Sequence, residues 1–167
     1  MKNIVLTGFM GTGKTTVGHL LAKKLGRRFI DTDEVIEEKE NRRIVDIFAQ
    51  DGEAYFRAAE KQAVEQAGAL SSCVIATGGG VVLDKENMDK LRAGGVIVNL
   101  HAPLELILAR TAGGGRPLLN EQSREQVAAR MAQREPFYAD YDFRVEVGGK
   151  SPMEIAEEII TAYKNFM

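Results

Sequence analysis

Cysteine is nearly absent. Cys73 is the one thiol in 167 residues, so no disulfide can form within the chain, and the sequence carries no sign of a structural zinc site. Long apolar runs are missing too. The apolar start MKNIVLTGFMG is interrupted at Thr7 and Gly8 before a signal-peptide core forms, and no later run is long enough to span a bilayer. An excess of one charge is equally lacking. Lys and Arg number 22 against 24 Asp and Glu, for a net charge of -2, and the basic pairs Arg27-Arg28 and Arg42-Arg43 stand apart instead of forming a stripe. These absences argue against membrane and nucleic-acid partners and point to a reducing cytoplasm and a small-molecule partner. No repeat, low-complexity segment or heptad seam appears, so a monomer is expected. What the chain does have is 44% hydrophobic and 28% charged residues. That suits one domain over residues 1–167, able to bury roughly 70% of its unfolded surface.

Short β-branched runs alternate with segments of helical period. The runs are NIVLT, RFID, CVIAT, VIVNLH and FRVEV. Between them lie Thr15 to Leu25, two helical stretches from Glu34 to Leu70, Glu86 to Ala93, Pro103 to Arg110 and Arg124 to Arg134, with a last helix from Pro152 to about Phe166. Strands apolar throughout and separated by helices predict a five-stranded parallel α/β sheet with helices packed against it. The last helix places Ile155, Ile159, Ala162 and Phe166 on one face, with Ser151-Pro152 as its start. TAGGGRPLLNEQ, from Thr111 to Gln122, breaks the pattern with three consecutive glycines and predicts a mobile lid over about residues 111–123. His19 and His101 read as partly buried scaffold, and Cys73, within an apolar strand, as core.

Directly after the first run comes GFMGTGKT, Gly8 to Thr15, which satisfies G-x-x-x-x-G-K-[ST] in the order strand, loop, helix. Glycines let successive N–H groups converge on one anion, and the helix N-terminus adds partial positive charge. Gly11, Thr12, Gly13, Lys14, Thr15 and Thr16 are thus candidates for a nucleoside triphosphate. Lys14 is placed to reach the β and γ phosphates, and the Thr15 hydroxyl to join a Mg²⁺ shell. No N-K-x-D motif reads a guanine base, and the chain is too short for the added domains of a motor or transporter. A compact small-molecule kinase remains.

The acceptor side has its own candidates. RFIDTDEVIEE ends a strand in two carboxylates, Asp31 and Asp33, either of which could also cap a helix. FRAAE puts Arg57 and Glu60 one helical turn apart, where they can pair. TGGG, Thr77 to Gly80, lays bare backbone at the carboxyl end of a strand, where open parallel sheets bind ligands. RMAQREPFY carries Arg130 and Arg134 on one helical face ahead of Tyr138.

Over nearly its whole length the chain resembles the shikimate kinases. The resemblance rests on GFMGTGKTTVG at the phosphate loop, DTD after the second strand, FRxxE, GGG, RPLL in the glycine-rich segment, Arg134 ahead of Tyr138, and a proline starting the final helix. It implies a three-layer P-loop kinase fold and ATP-dependent phosphorylation of the 3-hydroxyl of shikimate, a step toward chorismate and the aromatic amino acids. It further implies that Asp33, Arg57, Gly78, Gly79, Gly80 and Arg134 contact shikimate, with a substrate-binding helical segment of about 32–60. Thr15 and Asp31 would hold Mg²⁺. Lys14 and Arg116 would serve the phosphates of ATP, with Arg110 against adenine and the loop around Lys150 and Pro152 on its other side. Lys14, Asp33 and Arg116 would carry the catalysis. The implied roles agree with the chemistry, since an acid with three ring hydroxyls calls for forked cationic donors and a carboxylate acceptor. A kinase of the same architecture acting on gluconate or a nucleoside monophosphate, and a nucleotide-switched regulatory module without chemistry, are the alternatives.

Overall fold

The computed structural model describes residues 1–111 and 124–167. Runs that are apolar at every position become the inner strands. β1 (Asn3–Thr7) and β3 (Cys73–Ala76) are buried throughout, and β4 (Gly95–His101) at all but its last residue. The shorter β2 (Arg28–Asp31) and β5 (Phe143–Glu146) are partly exposed and form the edges. All pairings are parallel, in the order β2-β3-β1-β4-β5. Helices α1 (Lys14–Leu25), α2 (Thr32–Glu40), α3 (Ile44–Gly68), α4 (Lys85–Gly94), α5 (Leu104–Thr111), α6 (Arg124–Tyr138) and α7 (Pro152–Tyr163), with short 3-10 turns at Val81–Leu83 and Lys164–Phe166, complete the described elements. This is the sheet flanked by helices that the alternating pattern predicts. The lid expected at 111–123 lies almost entirely outside the described residues, with only Thr111, the last residue of α5, inside them. No helix among the described residues is long and apolar enough to cross a membrane.

Sheet register places the site. Leu6 pairs with Ala76, and Ala76 with Asp31, so the three strands end in one row. The glycine loop after β1, the TGGG turn after β3 and the DTD sequence after β2 therefore emerge side by side at the carboxyl edge of the sheet. Buried Asn3 and Thr77 tie β1 to β3 at the two ends of the pair, Asn3 at the amino end and Thr77 at the carboxyl end. Asn3 accepts from the Cys73 N–H at 2.8 Å, and the Thr77 hydroxyl donates to Leu6 O at 2.8 Å.

Several elements differ from the sequence expectation, each for a local reason. α3 is interrupted at Gly52, whose φ of 83° is accessible to glycine, so two helical pieces meet at an angle there. α6 runs past Pro136 to Tyr138, four residues beyond the expected end, because Tyr138 is buried against the core. α7 ends at Tyr163, and its buried face is Ile155, Ala156, Ile159 and Tyr163, leaving Ala162 and Phe166 only half-buried. His101 is half-buried beside Glu146, as expected, whereas His19 is exposed and stacks on Phe29 at 4.0 Å between ring centroids. Cys73 is core. A second, smaller apolar cluster of Ile36, Ile47, Phe56 and Ala63 joins α2 to α3 beside the main core.

Gly8 shows how tightly the fold holds the loop that follows β1. Its φ is 147°, and a Cβ there would lie 2.5 Å from the Leu100 carbonyl oxygen on β4. Gly8→Ala is expected to cost about 2–4 kcal/mol from overpacking and backbone strain, read as a lowered urea midpoint together with weaker ATP binding.

Candidate active site

The phosphate cradle is built by glycine conformation. Gly11 and Gly13 adopt φ of 87° and 95°, which curls the loop and starts α1 at Lys14 with no acidic residue in its first turn. The helix dipole there is free to act on an anion. Thr12 turns inward, its hydroxyl donating to Phe9 O at 2.8 Å. The Lys14 ammonium donates to the carbonyls of Gly8 and Phe9. Gly11, Gly13, Lys14 and Thr15 line the cradle, whereas Thr16 on the next turn is exposed. Arg110, near the end of α5, donates to Gly11 O at 3.1 Å and so lies over the loop.

The two carboxylates of DTD divide their work differently from a simple capping pair. Asp31, not Asp33, is the N-cap of α2: its Oδ1 accepts the Asp33 N–H at 2.9 Å. Its Oδ2 accepts the Thr15 hydroxyl at 3.2 Å, joining β2 to the phosphate loop. Capping thereby points the Asp33 side chain away from the helix end and toward the glycine turn.

Each glycine of TGGG abuts one charged side chain. A Cβ at Gly78 would lie 2.6 Å from Asp33 Oδ1, one at Gly79 would lie 3.2 Å from an Arg134 guanidinium nitrogen, and one at Gly80 would collide with the Arg57 guanidinium. The turn has no side chains because three charges converge on its backbone. Gly78 N–H is held by the Thr32 hydroxyl at 3.0 Å, and the Tyr138 hydroxyl donates to Gly79 O at 2.6 Å. As FRAAE predicts, Arg57 bonds Glu60, at 2.9 Å, with Glu53 also near at 3.5 Å.

Asp33, Arg57, Glu60, Arg134 and the three glycines border a cleft of about 370 Å³. One wall is charged, with Asp33, Arg57, Glu60, Arg130 and Arg134, and the other is apolar, with Met10, Ile44, Val45, Phe48 and Phe56. Met10, Asp33, Gly78 and Gly79 border both this cleft and the phosphate cradle, so the two spaces share a wall. Burial pushes the Asp33 carboxyl up to about 6, helped by the charges of Asp31 and Glu60 and opposed by Lys14. Glu60, almost fully buried, is also raised by burial, with Arg57 pulling the other way. Lys150 pairs with Glu158 at 2.7 Å, and Pro152 is the exposed first residue of α7. Neither borders the cradle or the cleft. Arg116 lies outside the described residues. Among the described residues no cluster of three or more His, Cys, Asp or Glu could hold a metal ion. Thr15 and Asp31, bonded to each other at 3.2 Å on the cradle's edge, are a donor set that suits magnesium, which is held by one or two protein oxygens along with phosphates and water.

Comparison with known proteins bears on this arrangement. The family model described as shikimate kinase matches residues 10–164. The chain belongs to the shikimate kinase family. A shikimate kinase of Persephonella marina is 45% identical over 161 residues, covering 96% of this chain and 98% of its own. One of Caldanaerobacter subterraneus is 48% identical over 165 residues, covering 98% and 96%. Among solved structures, shikimate kinase from Acinetobacter baumannii in complex with shikimate superposes with a TM-score of 0.92 at 35% identity, covering 99% of this chain and 94% of that one. For a shikimate kinase, the apolar wall is the part of the site that the motifs do not carry. The apolar side chains read as ordinary core. Tyr138 stood in the sequence only as the tyrosine after Arg134, and its bond to Gly79 O depends on α6 continuing past Pro136.

The raised Asp33 value has a consequence for stability in the ligand-free, metal-free protein. The folded-state value exceeds the unfolded one, so ionised Asp33 disfavours the fold; the deficit is absent below 3.8 and complete above about 6. Asp33→Asn is therefore expected to stabilise this form by about 1–3 kcal/mol near neutrality and by little at about pH 4, measured by urea unfolding at both.

Proposed function

We propose that the chain catalyses ATP-dependent phosphorylation of the 3-hydroxyl of shikimate, giving shikimate 3-phosphate and ADP, with the residues assigned below. The observation that carries the assignment is Asp33 on the wall shared by the phosphate cradle and the arginine-lined cleft. An acceptor hydroxyl at Asp33 is thereby beside the γ-phosphate end of a nucleotide held by Gly11, Thr12, Gly13, Lys14, Thr15 and Thr16. Arg57 and Arg134 supply forked donors to the acid's carboxylate, Gly78, Gly79 and Gly80 supply backbone, and Met10, Phe48 and Phe56 pack against the ring. The helical segment of about 32–60 acts as the acceptor-binding unit.

Asp33 accepts the hydroxyl's hydrogen bond and orients its oxygen toward the γ-phosphorus. As the new P–O bond forms, the bond to the β-phosphate oxygen breaks, ADP departs with that electron pair, and the hydroxyl proton passes to Asp33. A loose transition state asks little of the base, so alignment and charge neutralisation dominate. Lys14 contributes its charge at the β and γ phosphates. Thr15 and Asp31 would hold Mg²⁺, which supplies further neutralisation of the phosphates when bound. Arg110 lies against adenine, with the loop at Lys150 and Pro152 on its other side. Arg116 is assigned on sequence to closing over the transferred group, and 111–123 to a lid excluding water. The single buried thiol and near-neutral charge support a cytoplasmic monomer.

ADP release, followed in a coupled assay, is expected to require shikimate. Equal rates with gluconate or AMP, or fast turnover with no acceptor, would refute the assignment. Arg116→Ala is expected to lower kcat by about 10³-fold, in the manner of an arginine finger, with binding of shikimate alone little changed by calorimetry.

A further inference from the structure

The TGGG turn contains one peptide whose orientation the strand register does not settle. Gly78 is held on both sides, its N–H by the Thr32 hydroxyl and its carbonyl by the Val81 N–H. The Gly80 carbonyl accepts from the Leu83 N–H. Between them, the peptide joining Gly79 to Gly80 is flanked by glycine on both sides, so rotation of the whole peptide plane meets little steric resistance. Among the described residues, its one hydrogen bond is that from the Tyr138 hydroxyl to Gly79 O, at 2.6 Å.

The direction of that bond matters. The peptide is trans, as all the described peptides are, so its N–H points opposite to its carbonyl. Tyr138 approaches from the side of Phe9 and Thr12 and does not border the acid-side cleft, whereas Gly79 and Gly80 do. Holding the carbonyl toward Tyr138 puts the Gly80 N–H on the opposite side of the peptide, and Gly80 itself lines the cleft, where a Cβ on it would meet the Arg57 guanidinium. Tyr138 is only 4% exposed, and burial raises its hydroxyl above the ordinary phenol value, opposed by the Arg134 charge, so it remains a donor at neutral pH. It sits one turn beyond Arg134 on α6, so one helix both presents a cation to the acid and orients a backbone donor beside it.

We propose that Tyr138 is a positioning residue for the acid: it latches the Gly79–Gly80 peptide so that the Gly80 N–H faces an acceptor oxygen of the bound substrate. The proposal rests on the shikimate kinase reading above. Donation from the phenol also polarises the peptide and strengthens its N–H as a donor. Without the hydroxyl the peptide flips in part of the population, and the acid loses that donor while the nucleotide loses nothing.

The experiment compares the wild-type chain with Tyr138→Phe, which keeps the buried ring. KM for shikimate is expected to rise about three- to tenfold, with KM for ATP and kcat within about twofold and the thermal midpoint little changed. A second variant carrying 3-fluorotyrosine at 138, a stronger phenolic donor, is expected to keep or lower the wild-type KM for shikimate. An unchanged KM for shikimate in Tyr138→Phe would overturn the proposal. So would an equal loss toward ATP and shikimate with a lowered midpoint, which is what packing alone predicts. If the Phe variant does not fold, the fluorinated one decides: a raised KM for shikimate refutes the latch and a lowered one supports it. Wild-type protein run in parallel separates the two claims. If its ADP release is independent of shikimate, the parent reading fails and this one with it; if only the variants disagree, only the latch fails.

Discussion

The Asp33 carboxylate presses against backbone at Gly78 so closely that a Cβ could not stand between them. The rest of the site is arranged around that contact. It requires a bare turn after β3, a helix whose first turn points Asp33 inward, and a β2–β3 register that brings both to the same edge. It also keeps Asp33 on the wall shared with the phosphate cradle. On the reading proposed above, the distance between nucleophile and phosphoryl donor is then set by sheet geometry, the positioning that phosphoryl transfer needs most.

Charge placement follows the same logic. Asp33 and Glu60 are both held where ionisation is disfavoured, and Arg57 compensates Glu60 directly. Glu60 fixes the Arg57 fork from below, so that its remaining donors stay in the cleft. The stability lost by burying a carboxylate at Asp33 is recovered only when a hydroxyl or cation reaches it. Function and stability pull in opposite directions at this position, as they often do where an active site keeps a charge out of water.

Asp31 illustrates economy of a different kind. One oxygen caps α2 and the other bonds Thr15, so the same side chain starts the helix that carries Asp33 and braces the start of α1. Helix α6 likewise does two things at once, presenting Arg134 to the cleft and closing on Gly79 through Tyr138. Asp31 thereby joins β2, α2 and α1 at the edge of the cradle, and α6 joins the cleft to the glycine turn.

GFMGTGKT identified its own chemistry in the sequence because loop curvature, helix start and ammonium all come from consecutive residues. The five apolar runs, the Arg57–Glu60 pair and the break before Ser151-Pro152 were legible for the same reason: each depends on neighbours a turn or less away. What the sequence could not contain was the strand order, and with it the convergence of Asp33, Arg134 and Arg57 on Gly78, Gly79 and Gly80 in turn. Which of Asp31 and Asp33 caps α2 was also open, since either carboxylate is chemically able, and only the approach of β2 to Thr15 decides it. Tyr138 was legible as a neighbour of Arg134 but not as a partner of Gly79, because that contact needs α6 to run past Pro136 to the buried ring. Local chemistry is written along the chain, but contacts between residues 46 to 99 positions apart exist only once the sheet has put its strand ends in one row.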